Sequence, residues 1–203
     1  DGKRVVVEIR NDTDTPEQLH WHGQHVPADV DGATPPLNGT PGYFVDLLTT
    51  SSLGVYKLTP NFAAATATLS SLSTIPVAPF TEASNVPQPS TTMTLDPLSD
   101  RLMYRLGFRM YGDHEAMALT HAVATAGVAG MRWYELRSPI STSGTFTLFQ
   151  QGTFAPGDGN HRWMGSIAMD QAGNIGLGYS VSGPSRFPSI RYTGRMPGDA
   201  AGT

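Results

Sequence analysis

Two imidazoles on alternate residues, His20 and His22 of His20-Trp21-His22-Gly23, follow a strand-like run, Val5-Val6-Val7-Glu8-Ile9. In an extended chain residues i and i+2 point to the same face, so both rings can approach one metal centre. A second candidate is Gly112-Asp113-His114-Glu115, which sets an acid, an imidazole and another acid in one turn. That grouping suits general acid/base chemistry or a weak metal site, although a hairpin turn is polar in any case. His121, on a run with apolar neighbours, reads as a partly buried strand histidine. Asp170-Gln171-Ala172-Gly173-Asn174 offers oxygen ligands but lacks the spaced acids of a calcium loop, so it reads as a hairpin turn. No Gly-x-Ser-x-Gly, phosphate-binding loop, dinucleotide fingerprint or His-Glu-x-x-His occurs.

Leu19-His20-Trp21-His22-Gly23, then Pro27 and Asp31-Gly32, resembles the first copper-binding segment of the multicopper oxidases, the laccase-like cupredoxin proteins. The resemblance covers residues 1–34. It implies that His20 ligates the type 2 copper and His22 one copper of the type 3 pair. Imidazole suits copper, and dioxygen reduction needs several coppers held together by ligands from different strands. The resemblance also implies three further His-rich segments, among them a His-Cys-His run whose thiolate binds the type 1 copper. This chain has no cysteine, and His25, His114, His121 and His161 supply no second His-x-His pair. Most of the cluster's ligands are therefore missing, and the chain alone does not make a complete oxidase. His25 departs from the motif; it reads as a loop histidine, with a third ligand as the alternative.

The 203 residues suffice for one or two domains with a real core. Only 15% are charged, Gly and Pro number 22 and 16, and no apolar run approaches a membrane span. Long amphipathic patterns are missing, so turn-rich, all-β structure is expected. The net charge of -4 hides an asymmetry: residues 1–100 hold 4 basic and 11 acidic side chains, residues 101–203 hold 9 arginines and 6 acids. That basic bias is too weak for nucleic-acid binding. Zero cysteine excludes a disulfide scaffold. The chain starts without Met, in a strand lead-in, as expected of a mature product or a fragment.

Composition divides the chain into residues 1–34, a linker or junction over 35–52 rich in Pro, Gly, Thr and Ser, and a β-repeat module over 53–203. Asn11-Asp12-Thr13 and Asn38-Gly39-Thr40 match the glycosylation sequon, a pattern frequent by chance. Leu69 to Phe80 is a strand candidate, broken off by Val86-Pro87-Gln88-Pro89-Ser90. Beyond Leu95, Leu119-Thr120-His121-Ala122-Val123 aligns with Leu177-Gly178-Tyr179-Ser180-Val181 at an offset of 58, and Met131-Arg132-Trp133-Tyr134 with Ile190-Arg191-Tyr192-Thr193 at 59. Two copies of one unit with a variable loop account for this. Strands are expected over 102–110, 116–123, 130–137 and 145–151, and again over 162–170, 175–182 and 189–195. Four antiparallel strands per repeat, with a tight turn between the first two, are the pattern of a β-propeller blade, and the second copy runs out before a fourth strand. Residues 53–203 also resemble a group of repetitive, exported bacterial proteins of uncharacterised function.

The fold expected is thus all-β, a cupredoxin-like N-terminal fragment joined to propeller-blade-like repeats, as a natural fusion or as a truncated or misassembled frame. The function expected is an incomplete laccase-like segment with copper-binding potential, metal on His20 and His22, fused to an exported module. A small phenolic substrate follows only if other segments complete the copper sites. The alternative is a non-catalytic propeller-type binding or surface protein, and after it a propeller glycoside hydrolase. In that last reading Arg132 and Arg191, at equivalent repeat positions, clamp a substrate carboxylate with Tyr134 or Tyr192 as nucleophile. Equivalent arginines fit a structural ion pair or a packed stem better. Trp133, Trp163 and Tyr134 could line a sugar-binding face, though strand aromatics are ordinarily core. Open blade edges predict self-association, and no nucleic acid or membrane partner is expected. The Ser/Thr/Ala-rich middle and the resemblances point to a secreted or periplasmic protein.

Overall fold

A computed structural model describes residues 42–61 and 63–203. Contacts divide the chain into two compact units, residues 1–42 with 59–68 and residues 43–58 with 69–203. Of the first unit, the described part is the end of a β-hairpin, where Asn61 Oδ1 accepts from the Ala64 amide at 3.1 Å. His20, His22, His25 and both sequons lie outside the described residues.

The described residues are all-β, with ten strands and one turn of 3-10 helix at Ile140–Thr142. They form three antiparallel meanders. The first sheet comprises β1 (Gly42–Thr49), β2 (Ser52–Asn61) and β3 (Thr66–Pro76). The middle sheet comprises β4 (Gly107–Met110), β5 (His114–Thr125), β6 (Val128–Pro139) and β7 (Thr147–Phe154). The third comprises β8 (His161–Met169), β9 (Ile175–Gly183) and β10 (Arg186–Arg195). None of the three sheets closes on itself. No helix among the described residues is long and apolar enough to cross a membrane.

Within the span 35–52, Gly42–Thr49 is β1, and Thr50-Ser51 turns into β2. Alternating half-buried Tyr43, Val45 and Leu47 carry that strand, a period-2 pattern hidden by the flanking Pro, Gly and Thr. The expected strand over 102–110 contracts to Gly107–Met110, because β4 pairs with β5 only between Gly107↔Ala118 and Met110↔Glu115. The strand foreseen from Leu69 to Phe80 ends at Pro76.

β5 is buried along nearly its whole length, as befits a strand covered on both faces. On one face Met117, Leu119, Tyr134 and Leu136 pack with Leu53, Val55, Ile75 and Val77 of the first sheet region. On the other Ala116, Ala118, Met131 and Trp133 pack with Ile167, Met169, Ile175, Leu177, Tyr179 and Val181 of the third sheet. The two sheets approach closely at Gly165, where an added Cβ would lie 2.3 Å from Met131 Cε and 2.9 Å from Thr120 Cγ2. Met164 there has φ 53 and the pairing slips by one residue between Trp163 and Ser166, a β-bulge that turns β8 onto the middle sheet.

The repeat survives in the pairing. His121↔Arg132 and Thr120↔Trp133 in the middle sheet correspond to Tyr179↔Arg191 and Gly178↔Tyr192 in the third. Ile167 pairs with Leu177, and Ile167, Met169, Leu177 and Tyr179 all enter one core cluster, as their period-2 spacing predicts. Directly opposed residues share a face, so Gly176, Gly178, Ser180, Ile190 and Tyr192 form the other face of the third sheet. There Ile190 is 84% and Tyr192 89% exposed.

Candidate functional site

β5, β6 and β7 bring His121, Arg132 and Thr153 side by side on one face of the middle sheet. Beyond them the segment Pro79-Phe80-Thr81 is tied to β5, with the Ala124 amide donating to the Thr81 carbonyl at 2.8 Å. Together they enclose a polar cleft of about 250 Å³ lined by Pro79, Phe80, Thr81, Thr125, Arg132 and Thr153, among others. Arg132 Nε donates to Thr153 Oγ1 at 2.6 Å and its Nη1 to the Ala78 carbonyl at 3.1 Å. Both acceptors are neutral, so they orient the guanidinium without cancelling its charge.

Behind Arg132, His121 Nε2 and Tyr134 Oη share a hydrogen bond of 2.9 Å in the core, and Phe80 meets the imidazole edge-on at 4.5 Å. Burial first, and then the Arg132 charge, depress the His121 pKa to about 4. Burial pushes the Tyr134 hydroxyl up to about 12, against the pull of Arg132. Near neutrality the imidazole is thus uncharged and the phenol protonated. A fully buried, protonated phenol is poorly placed to attack a sugar carbon.

Arg132 and Arg191 sit on different sheets, and Arg191 is exposed on edge strand β10, outside the cleft. The two arginines do not converge on one concave site, and Tyr192 is exposed beside Arg191. Trp133 and Trp163 are core residues, Trp133 with the Arg195 guanidinium 5.8 Å from its ring centroid.

The Asp113-His114-Glu115 grouping is split by the strand. His114 Nδ1 lies 2.7 Å from Asp113 Oδ1 and the ring stacks on Tyr111 at 4.7 Å. Glu115 turns inward, accepting from Ser143 Oγ at 2.8 Å and from the Gly144 amide at 3.1 Å, where it caps the loop before β7. His161 is buried and accepts from the Ala129 amide at Nδ1, 3.1 Å away. Asp170 Oδ1 accepts from the Ala172 and Asn174 amides, both at 2.9 Å, so its carboxylate serves the hairpin turn.

Sequence reasoning missed two polar networks, one in the middle sheet and one at the start of β8 in the third. Glu135 is buried, taking hydrogen bonds from Arg137 Nε and Gln150 Nε2, each at 2.5 Å. Arg162, also buried, forms a two-pronged pair with Asp158 at 2.8 and 2.9 Å. Only the regular spacing of charges within apolar strands hinted at either.

Among the described residues no three His, Cys, Asp or Glu side chains come together to hold a metal ion. His114, His121 and His161 each bond to a different partner, and among the described residues they do not join one cluster. No family model, curated protein or solved structure matches the chain.

Proposed function

We propose that the chain is a non-catalytic, repeat-built β-module, exported to the periplasm or beyond the cell, whose meanders are propeller-like blades that associate face to face. The observation that carries this is the outer face of the third sheet. Met131 and Trp133, with small Ala118, Thr120 and Ala122 beside them, are buried against a neighbouring sheet. Their repeat equivalents Ile190 and Tyr192, beside Gly176, Gly178 and Ser180, lie exposed. The large residues make a ridge on β10 and the small ones a groove on β9, and a ridge beside its own groove is self-complementary under a two-fold axis. A second copy of the chain is therefore the occupant of this face, with edge pairing along β10 as a lesser contribution.

Light scattering over a concentration series tests the reading. The expected mass climbs from 21.7 kDa toward twice that value, whereas an Ile190→Ser/Tyr192→Ser variant stays monomeric. A monomer at every concentration, or equal association of both proteins, would remove this surface from the function.

A second reading concerns residues 1–34 and rests on His20-Trp21-His22-Gly23 alone. Here His20 and His22 of a cupredoxin-like, laccase-like fragment hold one copper ion weakly. Lacking any cysteine thiolate, the chain yields no intense blue absorption and no turnover of phenols. Titration of Cu(II) into the chain and into a His20→Ala/His22→Ala variant is expected to show one site lost in the variant, and equal binding by both would refute it.

A further inference from the structure

We propose that the cleft beside β6 binds a small carboxylate, anchored by the Arg132 guanidinium. Arg101, Arg137 and Arg162 each pair with a carboxylate, Asp100, Glu135 and Asp158 respectively. Among the described residues no carboxylate lies within ion-pair distance of Arg132, whose guanidinium is oriented by neutral groups, Thr153 and the Ala78 carbonyl. Arg109 and Arg195 also bond to carbonyls, but neither lines a polar cleft. Arg132 is thus a half-buried cation, fixed in direction and without a counter-charge among the described residues, on the wall of a space large enough for a small molecule. Its field reaches its neighbours, opposing protonation of His121 and favouring ionisation of Tyr134.

The lining selects the class of anion. Thr153 Oγ1 accepts from Arg132, which leaves its own hydroxyl proton for a second acceptor. Thr81 and Thr125 add hydroxyls, while Pro79 and Phe80 give an apolar wall. A planar carboxylate can take two parallel hydrogen bonds from a guanidinium, and its organic body can rest on the apolar wall. A phosphate dianion would find one cation for two charges. It would also find the Ala124 amide already given to Thr81. A monocarboxylic acid of modest size matches a volume of about 250 Å³.

Fluorine NMR on the full chain, with 4-fluorobenzoate as probe and uncharged 4-fluorobenzyl alcohol as control, tests the assignment. Saturable binding of the acid, weakened at least tenfold in Arg132→Gln and unchanged in Arg191→Gln, is expected, with no saturable binding of the alcohol. Equal binding by Arg132→Gln would overturn the proposal, as would an equal loss in Arg191→Gln. Inorganic phosphate competing better than acetate would overturn the carboxylate class. Should Arg132→Gln fail to unfold cooperatively, Arg132→Lys keeps the charge and removes the fork. A severalfold loss is then expected, and undiminished affinity would sink the idea. None of these readouts depends on the state of association.

Discussion

The middle and third sheets are two copies of one pattern with opposite surroundings. In both, the second strand alternates small and branched apolar residues and the third carries a large apolar residue, an arginine and an aromatic. In the middle sheet Met131 and Trp133 are buried and Arg132 is wedged between Thr153 and the Ala78 carbonyl. In the third, Ile190, Arg191 and Tyr192 stand in solvent on an edge strand. Identical register therefore does not give identical roles. What differs is whether a further sheet lies on the face and a fourth strand on the edge.

The largest expected effect contrasts the two aromatics. Trp133→Ala removes a buried indole and should cost about 3–5 kcal/mol, whereas Tyr192→Ala on the exposed face should stay within about 0.5 kcal/mol. Urea unfolding of the monomer at low concentration measures both, and equal losses would mean that the outer face of the third sheet is covered after all.

Next comes the pH response of the pair at the second-strand position, His121 in one copy and Tyr179 in the other. The folded pKa of His121, about 4, lies below its ordinary value of 6.5. Its contribution is complete above the unfolded value and disappears as the pH falls toward the folded one, because the unfolded chain takes up the proton first. His161, also lowered by burial, acts in the same direction. Between pH 7 and pH 5 the wild type should lose up to about 2 kcal/mol from His121. A His121→Phe variant should lose markedly less, and parallel curves for the two proteins would argue against a buried neutral imidazole.

The smallest contrast is between glycines. Gly165→Ala, with Met131 Cε 2.3 Å and Thr120 Cγ2 2.9 Å from the new carbon, should destabilise, by about 1–2 kcal/mol. Gly176→Ala, on the exposed face with nothing within 4 Å, should be neutral or slightly stabilising. Thermal melts of the two variants resolve the sign.

Much of the β-architecture was legible because hydrophobic alternation and turn residues are local signals. Ala116–Val123, Gly130–Arg137 and Ile175–Ser182 fall within β5, β6 and β9, and Gly173, with φ 85, turns the β8–β9 hairpin as its sequence suggests. β1 was hidden because its alternation is short and flanked by linker-like residues. The cleft was less legible. Arg132 was visible as a candidate, but Thr153 and the Pro79–Thr81 segment lie far from it along the chain and carry no motif.

By itself the sequence determined the strand periodicity, the two-copy repeat with its offsets, the lack of any thiolate, and the His20/His22 spacing. Only the tertiary structure decided that Glu115 caps a loop while its neighbour His114 stacks on Tyr111, and that Arg132 acquires a cleft while Arg191 does not. The physical reason is that alternation fixes which residues share a face, a property of one strand. Burial, charge compensation and the shape of a site depend on which other sheet comes to lie on that face.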